Sequence, residues 1–296
     1  MNPSKTWKSF AAIAVIVITV TAFIYFFVNH PAARRQLANL NPLILLVLLL
    51  LYGIFLVSLV MMLQATLSLC GINLKKGESF LLSAYSAIVN FFGPLQSGPG
   101  FRAVYLKKKH GIDLKKYALA TLLYYGLFAG FSGLFLVSGL VGWAWLGILA
   151  VAGLAVAVFV LRSNLKSLRR FQSLNLKSVY RLALATLAQL SINAVIYFVE
   201  LRAISPGIHF SQAVIYSGAA NFALFVSITP GAIGFRESFL LLSSRLHHID
   251  KVTVLNASLI DRGVYVIFLA LLFIVVLSLH AKDRLQLSAL KNNTSQ

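Results

Sequence analysis

The sequence predicts an all-α, polytopic integral membrane protein, on the evidence of its composition, its long uncharged runs and a doubled motif. Hydrophobic residues make up 59% of the 296 residues, and the mean hydropathy is +0.86, which is more apolar than a soluble domain of this length sustains. Charged residues make up only 11% and are gathered between the apolar runs. No linker or low-complexity tract divides the chain, so residues 1–296 are expected to form a single membrane domain.

The uncharged runs set the number of spans, because a transmembrane helix needs about 20 mostly apolar residues. If every run crossed the membrane, the basic segments 102–116 and 162–181 would both lie outside the cell, against the tendency of short Lys/Arg-rich loops to stay cytoplasmic. We therefore expect runs 79–101 and 203–235 to enter the membrane and return to the same side. About six full spans remain, near residues 9–29, 43–70, 117–140, 143–161, 180–200 and 263–280.

This arrangement predicts a multi-pass protein of the plasma (inner) membrane with both termini in the cytoplasm. It places 19 of the Lys and Arg residues on the cytoplasmic side and seven outside, which is the asymmetry that favours this orientation. The surplus of positive charge is explained by the bilayer, so no nucleic-acid partner is expected.

The two predicted re-entrant hairpins, at about 79–101 and about 210–235, share an unusual pattern. Each contains Asn-Phe, then Pro and Gly, then Gly-Phe-Arg, in "NFFGPLQSGPGFR" from Asn90 and "NFALFVSITPGAIGFR" from Asn221. Helix-breaking residues are permitted at membrane depth where protein or a water-filled cavity satisfies the freed backbone groups. The expected hairpin-turn residues are Gly93, Pro94, Gly98, Gly100, Pro230, Gly231 and Gly234.

The similarity continues beyond the arginines, since "HGID" from His110 parallels "HHID" from His247. Three full spans separate the two copies, and an odd number of crossings gives the second copy the opposite orientation. The sequence therefore predicts an inverted repeat, in which broken helices of the two halves meet near the midplane of the bilayer and form a substrate site.

Candidate binding residues follow from the few ionisable groups near the hairpins. Arg102 and Arg236 stand at equivalent places, where a guanidinium offers a planar fork to a phosphate, although an arginine there also reaches the interface by snorkelling. Acidic groups at such depth indicate a functional cavity. The predicted substrate-binding set is Arg102, Arg236, Glu237, Asp261, Arg262, Asn90 and Asn221.

No pattern in the sequence indicates catalysis, a metal or a cofactor. The six histidines lack ligand spacing, and the single Cys70 excludes an internal disulfide. Ser97 and Ser217 lack the Gly-x-Ser-x-Gly context of a hydrolase, and there is no Walker or dinucleotide-binding sequence. We expect no catalytic residues, no metal site and no cofactor.

The chain resembles the lysylphosphatidylglycerol synthase transmembrane-region family, also called the flippase-like domain family. The resemblance is carried by "PGAIGFRE" (Pro230 to Glu237) with the later Asp261-Arg262, and by "SGPGFR" (Ser97 to Arg102), and it extends over essentially the whole chain. Ser97 and Ala232 replace glycines of the family's turns. The sequence stops at Gln296 without the soluble lysyltransferase module, so the resemblance implies the lipid-translocating half and argues against lysyl transfer.

Three functions stay open at this point. The leading one is a flippase or lipid-binding transporter for a phospholipid-like head group, including an aminoacylated one. The second is a membrane-embedded transferase acting on a lipid, as the family name suggests, with Asp261 or Glu237 as base. The third is a non-transporting subunit of a lipid or glycan pathway. Membrane lipids with phosphate head groups are the expected partners, and a homo-oligomer or a pathway enzyme is left open.

Overall fold

A computed structural model describes residues 38–92, 97–138, 176–226 and 234–293, with scattered positions between 17 and 35. These residues form α-helices and no strand, which confirms the all-α prediction for this part of the chain. The helices are α1 (Pro42–Leu69), α2 (Lys76–Phe92), α3 (Gly98–His110), α4 (Leu114–Val137), α5 (Leu176–Ile204), α6 (Phe210–Val226), α7 (Phe235–Leu242), α8 (Ser244–His247) and α9 (Lys251–Asn293).

Four of the described helices are long and apolar enough to cross a membrane, namely α1, α4, α5 and the part of α9 from Lys251 to Leu279. In α1 and α4 only 22% of the most apolar window is buried inside the protein, so most of their apolar surface faces outward, as expected in lipid. The spans predicted at 9–29 and 143–161 fall almost entirely outside the described residues. The count of six spans therefore stays a prediction.

The predicted start of the last span, residue 263, was wrong. Helix α9 begins at Lys251 and continues through Asp261 and Arg262 without a break. A charge normally interrupts an apolar span, but here both charged side chains pair with residues of α7 and face the protein interior. The sequence shows the two charges and not their partners, which is why the prediction started the span too late.

The first hairpin extends further than predicted, because α3 continues to His110 and buries Arg102. Arg102, Arg236 and Arg262 were all counted as loop charges, yet each is buried in the protein. Without these three arginines, the predicted topology places 18 Lys and Arg residues on the cytoplasmic side and five outside. The asymmetry of positive charge that favours the predicted orientation therefore persists.

Three of the predicted hairpin-turn residues are described: Gly98 and Gly100 lie in the first turn of α3, not in a turn between helices, and Gly234 immediately precedes α7. The stretches between α2 and α3 and between α6 and α7, with Gly93, Pro94, Pro230 and Gly231, lie outside the described residues. A side chain at Gly98 would stand 2.7 Å from Ser86 Oγ, so the two arms of the first hairpin require a glycine there. Gly234 has φ +85°, a conformation that favours glycine. Gly100 lies in the first turn of α3, where no neighbouring atom stands within 4 Å of the place that a side chain would occupy.

Corresponding helices of the two halves begin at a constant spacing. The interval between the starts of α1 and α5 equals the interval between the starts of α2 and α6. Helices α2 and α6 are also equal in length, at 17 residues each. Helices α4 and α9 follow as the next corresponding pair, with nearly the same interval between their starts.

The contacts between helices follow the same correspondence. Helix α4 of the first half packs against α6 of the second, while α9 of the second half packs against α2 of the first. Helix α5 touches α1, α4, α6 and α9. It therefore lies at the centre of this arrangement.

The connections into α4 and α9 have the same local conformation. Gly111 and His248 both have positive φ, of 64° and 52°, and each is followed by a buried isoleucine. The next residues, Asp113 and Asp250, accept hydrogen bonds from backbone N–H groups in the first turn of the following helix. The Ile-Asp recurrence in the sequence is therefore a repeated helix start.

A side chain at the start of each hairpin ties its two arms together. In the first hairpin, the Glu78 carboxylate lies 2.9 Å from Lys109 Nζ and 2.8 Å from His110 Nε2, and it accepts a hydrogen bond from Tyr105 Oη at 2.7 Å. In the second, Gln212, which occupies the place on α6 that Glu78 occupies on α2, donates to the His247 carbonyl at 3.0 Å. Burial alone would raise the pKa of Glu78, but these hydrogen bonds and the charge of Lys109 lower it to about 2.

Replacing Glu78→Gln is expected to lower the free energy of unfolding at neutral pH, and the loss should depend on pH. Because the folded-state pKa is depressed, the carboxylate stabilises the fold above its ordinary pKa of 4.5, and this contribution disappears as the pH falls towards about 2. Thermal unfolding in detergent should show the variant and wild type converging across this interval. Gln212→Ala is the matched control, since it loosens the equivalent uncharged contact and its cost should not vary with pH. A Glu78→Gln cost that stays constant down to the acid limit would contradict this assignment.

Candidate functional site

A cavity of about 220 Å³ lies between the two hairpins and the central helices. A water molecule takes up about 30 Å³ in the liquid, so the space admits several waters or a small polar head group. Six of the seven predicted binding residues line it: Asn90, Arg102, Asn221, Arg236, Asp261 and Arg262. The seventh, Glu237, is not among the residues that line the cavity, but it accepts hydrogen bonds from Arg262, which does.

Arg102 is a buried cation with no carboxylate beside it in the described part of the chain. It lies on α3, one turn after the helix starts, and only 7% of its surface is exposed. Its Nε has no hydrogen-bond partner among the described residues. Tyr124 and Tyr125 of α4 are within reach of its charge and line the cavity with it. Pro99 also lines the cavity, so the N-terminal end of α3, which attracts anions, faces the same space.

Arg236 has the opposite environment, because its charge is neutralised inside the protein. Its Nη1 donates to Asp261 Oδ2 in a buried ion pair, and the guanidinium lies over the Tyr197 ring at 5.2 Å from the centroid. Asp261 Oδ1 accepts a second hydrogen bond from Tyr52 Oη at 2.5 Å. The ion pair therefore connects α7 to α9, and Tyr52 connects both to α1.

Glu237 and Arg262 form a second ion pair beside the first. Glu237 Oε1 accepts hydrogen bonds from Arg262 Nε at 2.9 Å and Nη2 at 2.6 Å, and from Ser258 Oγ at 2.6 Å. Its other oxygen accepts from the Gly234 N–H at 2.8 Å, which fixes the first turn of α7. Both predicted acidic binding residues thus neutralise neighbouring arginines.

The two halves differ at the positions that face their arginines. When α4 and α9 are aligned at their first residues, Tyr124 corresponds to Asp261, and Tyr125 corresponds to Arg262. Arg236 consequently pairs with a carboxylate, whereas the corresponding residue in the first half is a tyrosine whose hydroxyl donates to Gln189 Oε1 at 3.2 Å. Of the two arginines of the repeated motif, only Arg102 is left without a counter-ion in the described residues.

Asn90 and Asn221 also differ from each other, although the sequence pattern paired them. Asn90 Oδ1 accepts from the Gly98 N–H at 3.2 Å and so joins the two arms of the first hairpin. Asn221 accepts from Asn193 Nδ2 at 3.1 Å and donates to Ser217 Oγ at 3.1 Å. When α2 and α6 are aligned at their first residues, Ala87 and not Asn90 stands opposite Asn221.

No group of three or more His, Cys, Asp or Glu side chains that suits a metal ion occurs within the described ranges.

A family model described as Lysylphosphatidylglycerol synthase TM region matches residues 10–272. The chain belongs to this family. The resemblance predicted from the hairpin motifs is thereby confirmed, and the protein is a membrane domain of a family related to lipid metabolism. A comparison with curated proteins finds no match.

This member of the family also places a polar row on its central helix that the sequence prediction missed. Gln189, Asn193 and Tyr197 follow each other at four-residue intervals on α5, and all three line the cavity. Glu200 continues the row one turn later, fully buried. Residues three or four apart lie on one face of a helix, so this spacing in an otherwise apolar span was the signal that could have identified the row.

Replacing Asp261→Asn is expected to destabilise the protein by about 3–5 kcal/mol, because it leaves the buried Arg236 charge uncompensated. The double variant Arg236→Gln/Asp261→Asn should recover part of this loss, with a coupling of roughly 0.5–3 kcal/mol in a double-mutant cycle. Unfolding in detergent measures both. Asp113→Asn, the same change at an exposed helix cap, is the control and should cost little, because Asn caps a helix about as well as Asp. Equal costs at Asp261 and Asp113 would argue against a buried ion pair.

Proposed function

We propose that this protein binds the phosphate of an anionic membrane lipid at Arg102 and moves the lipid head group across the membrane. The observation that carries the proposal is the buried Arg102 guanidinium, which faces the cavity without a counter-ion among the described residues. An arginine keeps its charge at any physiological pH. A charge held away from water is costly unless it is paired, so an anion entering the cavity would supply the missing partner.

The charges around the cavity favour a ligand with one negative charge. The charge of Arg236 is neutralised by Asp261 and that of Arg262 by Glu237. Arg102 therefore contributes one uncompensated positive charge. A phosphodiester head group carries one negative charge and offers the two oxygens that a guanidinium binds in parallel. An aminoacylated head group adds amines, and the cavity wall offers those amines no unpaired carboxylate among its described residues. A simple anionic phospholipid is therefore the proposed substrate.

The repeated arrangement of helices provides a route for movement. We take the two halves, with their matched helix starts and matched contacts, as the inverted repeat predicted from the motifs. In such transporters, one repeat rocks against the other around a site at the midplane. The head group would cross through the cavity while the acyl chains remain in lipid.

A transferase reaction is the weaker alternative. Its sequence argument was that Asp261 or Glu237 acts as base, but each carboxylate is already engaged by an arginine and by a hydroxyl group. A general base needs a lone pair directed at the substrate. A non-transporting lipid-binding subunit shares the proposed site and differs only in the outcome of a translocation assay.

Arg102→Ala is expected to weaken binding of phosphatidylglycerol by roughly 10- to 100-fold, since a hydrogen-bonded charge pair contributes about 1.5–3 kcal/mol. Binding is measured on the purified full chain in detergent, and transbilayer movement in liposomes with head-group-labelled lipid. Arg202→Ala is the matched control, because Arg202 is exposed and stacks on Phe198 away from the cavity. Arg102→Lys should restore part of the affinity through charge alone.

Each outcome of the Arg102 experiment separates the candidates. Binding and movement that both depend on Arg102 support the transporter, and binding without movement supports the non-transporting subunit. Equal affinities of wild type and Arg102→Ala for phosphatidylglycerol would refute the proposed site. Tighter binding of lysylated than of unmodified phosphatidylglycerol would contradict the single-anion argument.

The orientation is tested at two exposed positions that correspond in the repeat, Lys108 on the first hairpin and Arg245 on the second. In a background with Cys70→Ser, a membrane-impermeant maleimide applied to intact cells should label Arg245→Cys and leave Lys108→Cys unlabelled until the membrane is opened. This result follows from an inverted repeat in the plasma membrane with cytoplasmic termini. Labelling of both positions from one side would refute the inversion.

A further inference from the structure

Glu200 is a buried carboxyl group that the proposed binding step does not use. It is fully buried, near the C-terminal end of α5. Both of its carboxyl oxygens are without a hydrogen-bond partner among the described residues. It lies three residues after Tyr197, which lines the cavity, so about one helical turn separates it from that space. Such a group in a membrane domain indicates a role beyond packing.

Charged and titratable groups from four other helices act on Glu200. Arg236 of α7 attracts the negative charge of an ionised Glu200, and Asp261 of α9 repels it. Three tyrosine hydroxyl groups also interact electrostatically with Glu200: Tyr52 on α1, Tyr216 on α6 and Tyr197 on α5. Arg236 is already paired with Asp261. An ionised Glu200 therefore adds a second negative charge to a cluster that holds one positive charge.

We propose that Glu200 takes up a proton when the cavity binds a lipid anion, so that lipid binding and movement are coupled to proton uptake. This inference rests on the proposed function, because Arg102 is the positive charge that receives the anion. With Glu200 neutral, the second hairpin is balanced and Arg102 remains uncompensated. With Glu200 ionised, its negative charge, about one helical turn from the cavity, offsets part of the positive potential of Arg102 and repels the phosphate.

The coupling step is a simple proton transfer. A proton from water adds to a carboxylate oxygen of Glu200 and gives the neutral acid, and the same proton returns to water after the lipid leaves. No bond to the lipid forms or breaks. The first half of the repeat has no equivalent group, since the counterpart of Glu200 on α1 is Thr66, whose hydroxyl donates to the Met62 carbonyl. The proposed proton site is therefore confined to the second half.

Affinity for phosphatidylglycerol tests the coupling when it is measured on the full chain in detergent from about pH 5.5 to about pH 8.5. The wild-type Kd should rise with pH, by up to about tenfold per pH unit where Glu200 is ionised in the empty protein. A phosphodiester keeps its single charge throughout this interval. Glu200→Gln should bind with the low-pH wild-type Kd at every pH, and Glu200→Asp should retain a pH dependence. Glu78→Gln, the same chemical change outside the cavity, should keep the wild-type slope.

A second measurement follows the proton directly. Adding phosphatidylglycerol to wild-type protein in weakly buffered solution with a pH-sensitive dye should remove up to about one proton per bound lipid from the solution. Glu200→Gln should bind the lipid and remove none.

The outcomes distinguish this inference from the proposed function. If wild type binds phosphatidylglycerol with a Kd that does not change with pH, the coupling is wrong and the lipid site stands. If Glu200→Gln keeps the wild-type slope or the proton uptake, another group titrates and Glu200 is refuted. Absence of binding at every pH overturns both the site and the coupling.

Discussion

The fold depends on one constraint, that a buried charge is costly unless an opposite charge lies beside it. Arg236 would be expelled from this position without Asp261, and Arg262 without Glu237. Both pairs join α7 to α9, and Tyr52 extends the first pair to α1. The short helix α7 is thereby fixed to the long helices α9 and α1. The same pairs keep α9 continuous through two charged residues.

The constraint also explains the asymmetry of the cavity. The repeated motif contains an arginine in each copy, but the corresponding position on the following long helix is Asp261 in one case and Tyr124 in the other. Arg236 therefore joins two helices through an ion pair, whereas Arg102 has no counter-ion among the described residues. The two arginines match in the sequence motif but have different surroundings in the structure.

The helical membrane class and the bounds of several helices were predictable because they depend on local properties. Apolar runs of span length and helix-breaking residues are visible in the sequence alone, and α1, α4 and α5 lie within a few residues of their predicted bounds. The start of α9 was missed because its charges are tolerated only through contacts with α7. Asn90 and Asn221 match in the sequence motif but have different hydrogen-bond partners, which depend on contacts that a dipeptide match does not carry.

The sequence by itself determined that this is a helical membrane protein, and it identified six residues that line one cavity. Composition, periodicity and recurrence decide these features, and none of them requires knowledge of distant contacts. Only the tertiary structure decided which charges cancel. Arg102, Arg236 and Glu200 differ because of what stands beside them, and those neighbours come from helices that are distant in the chain. Pairing across such distances sets the energy of a buried charge, so it determines which group remains available for a ligand or a proton.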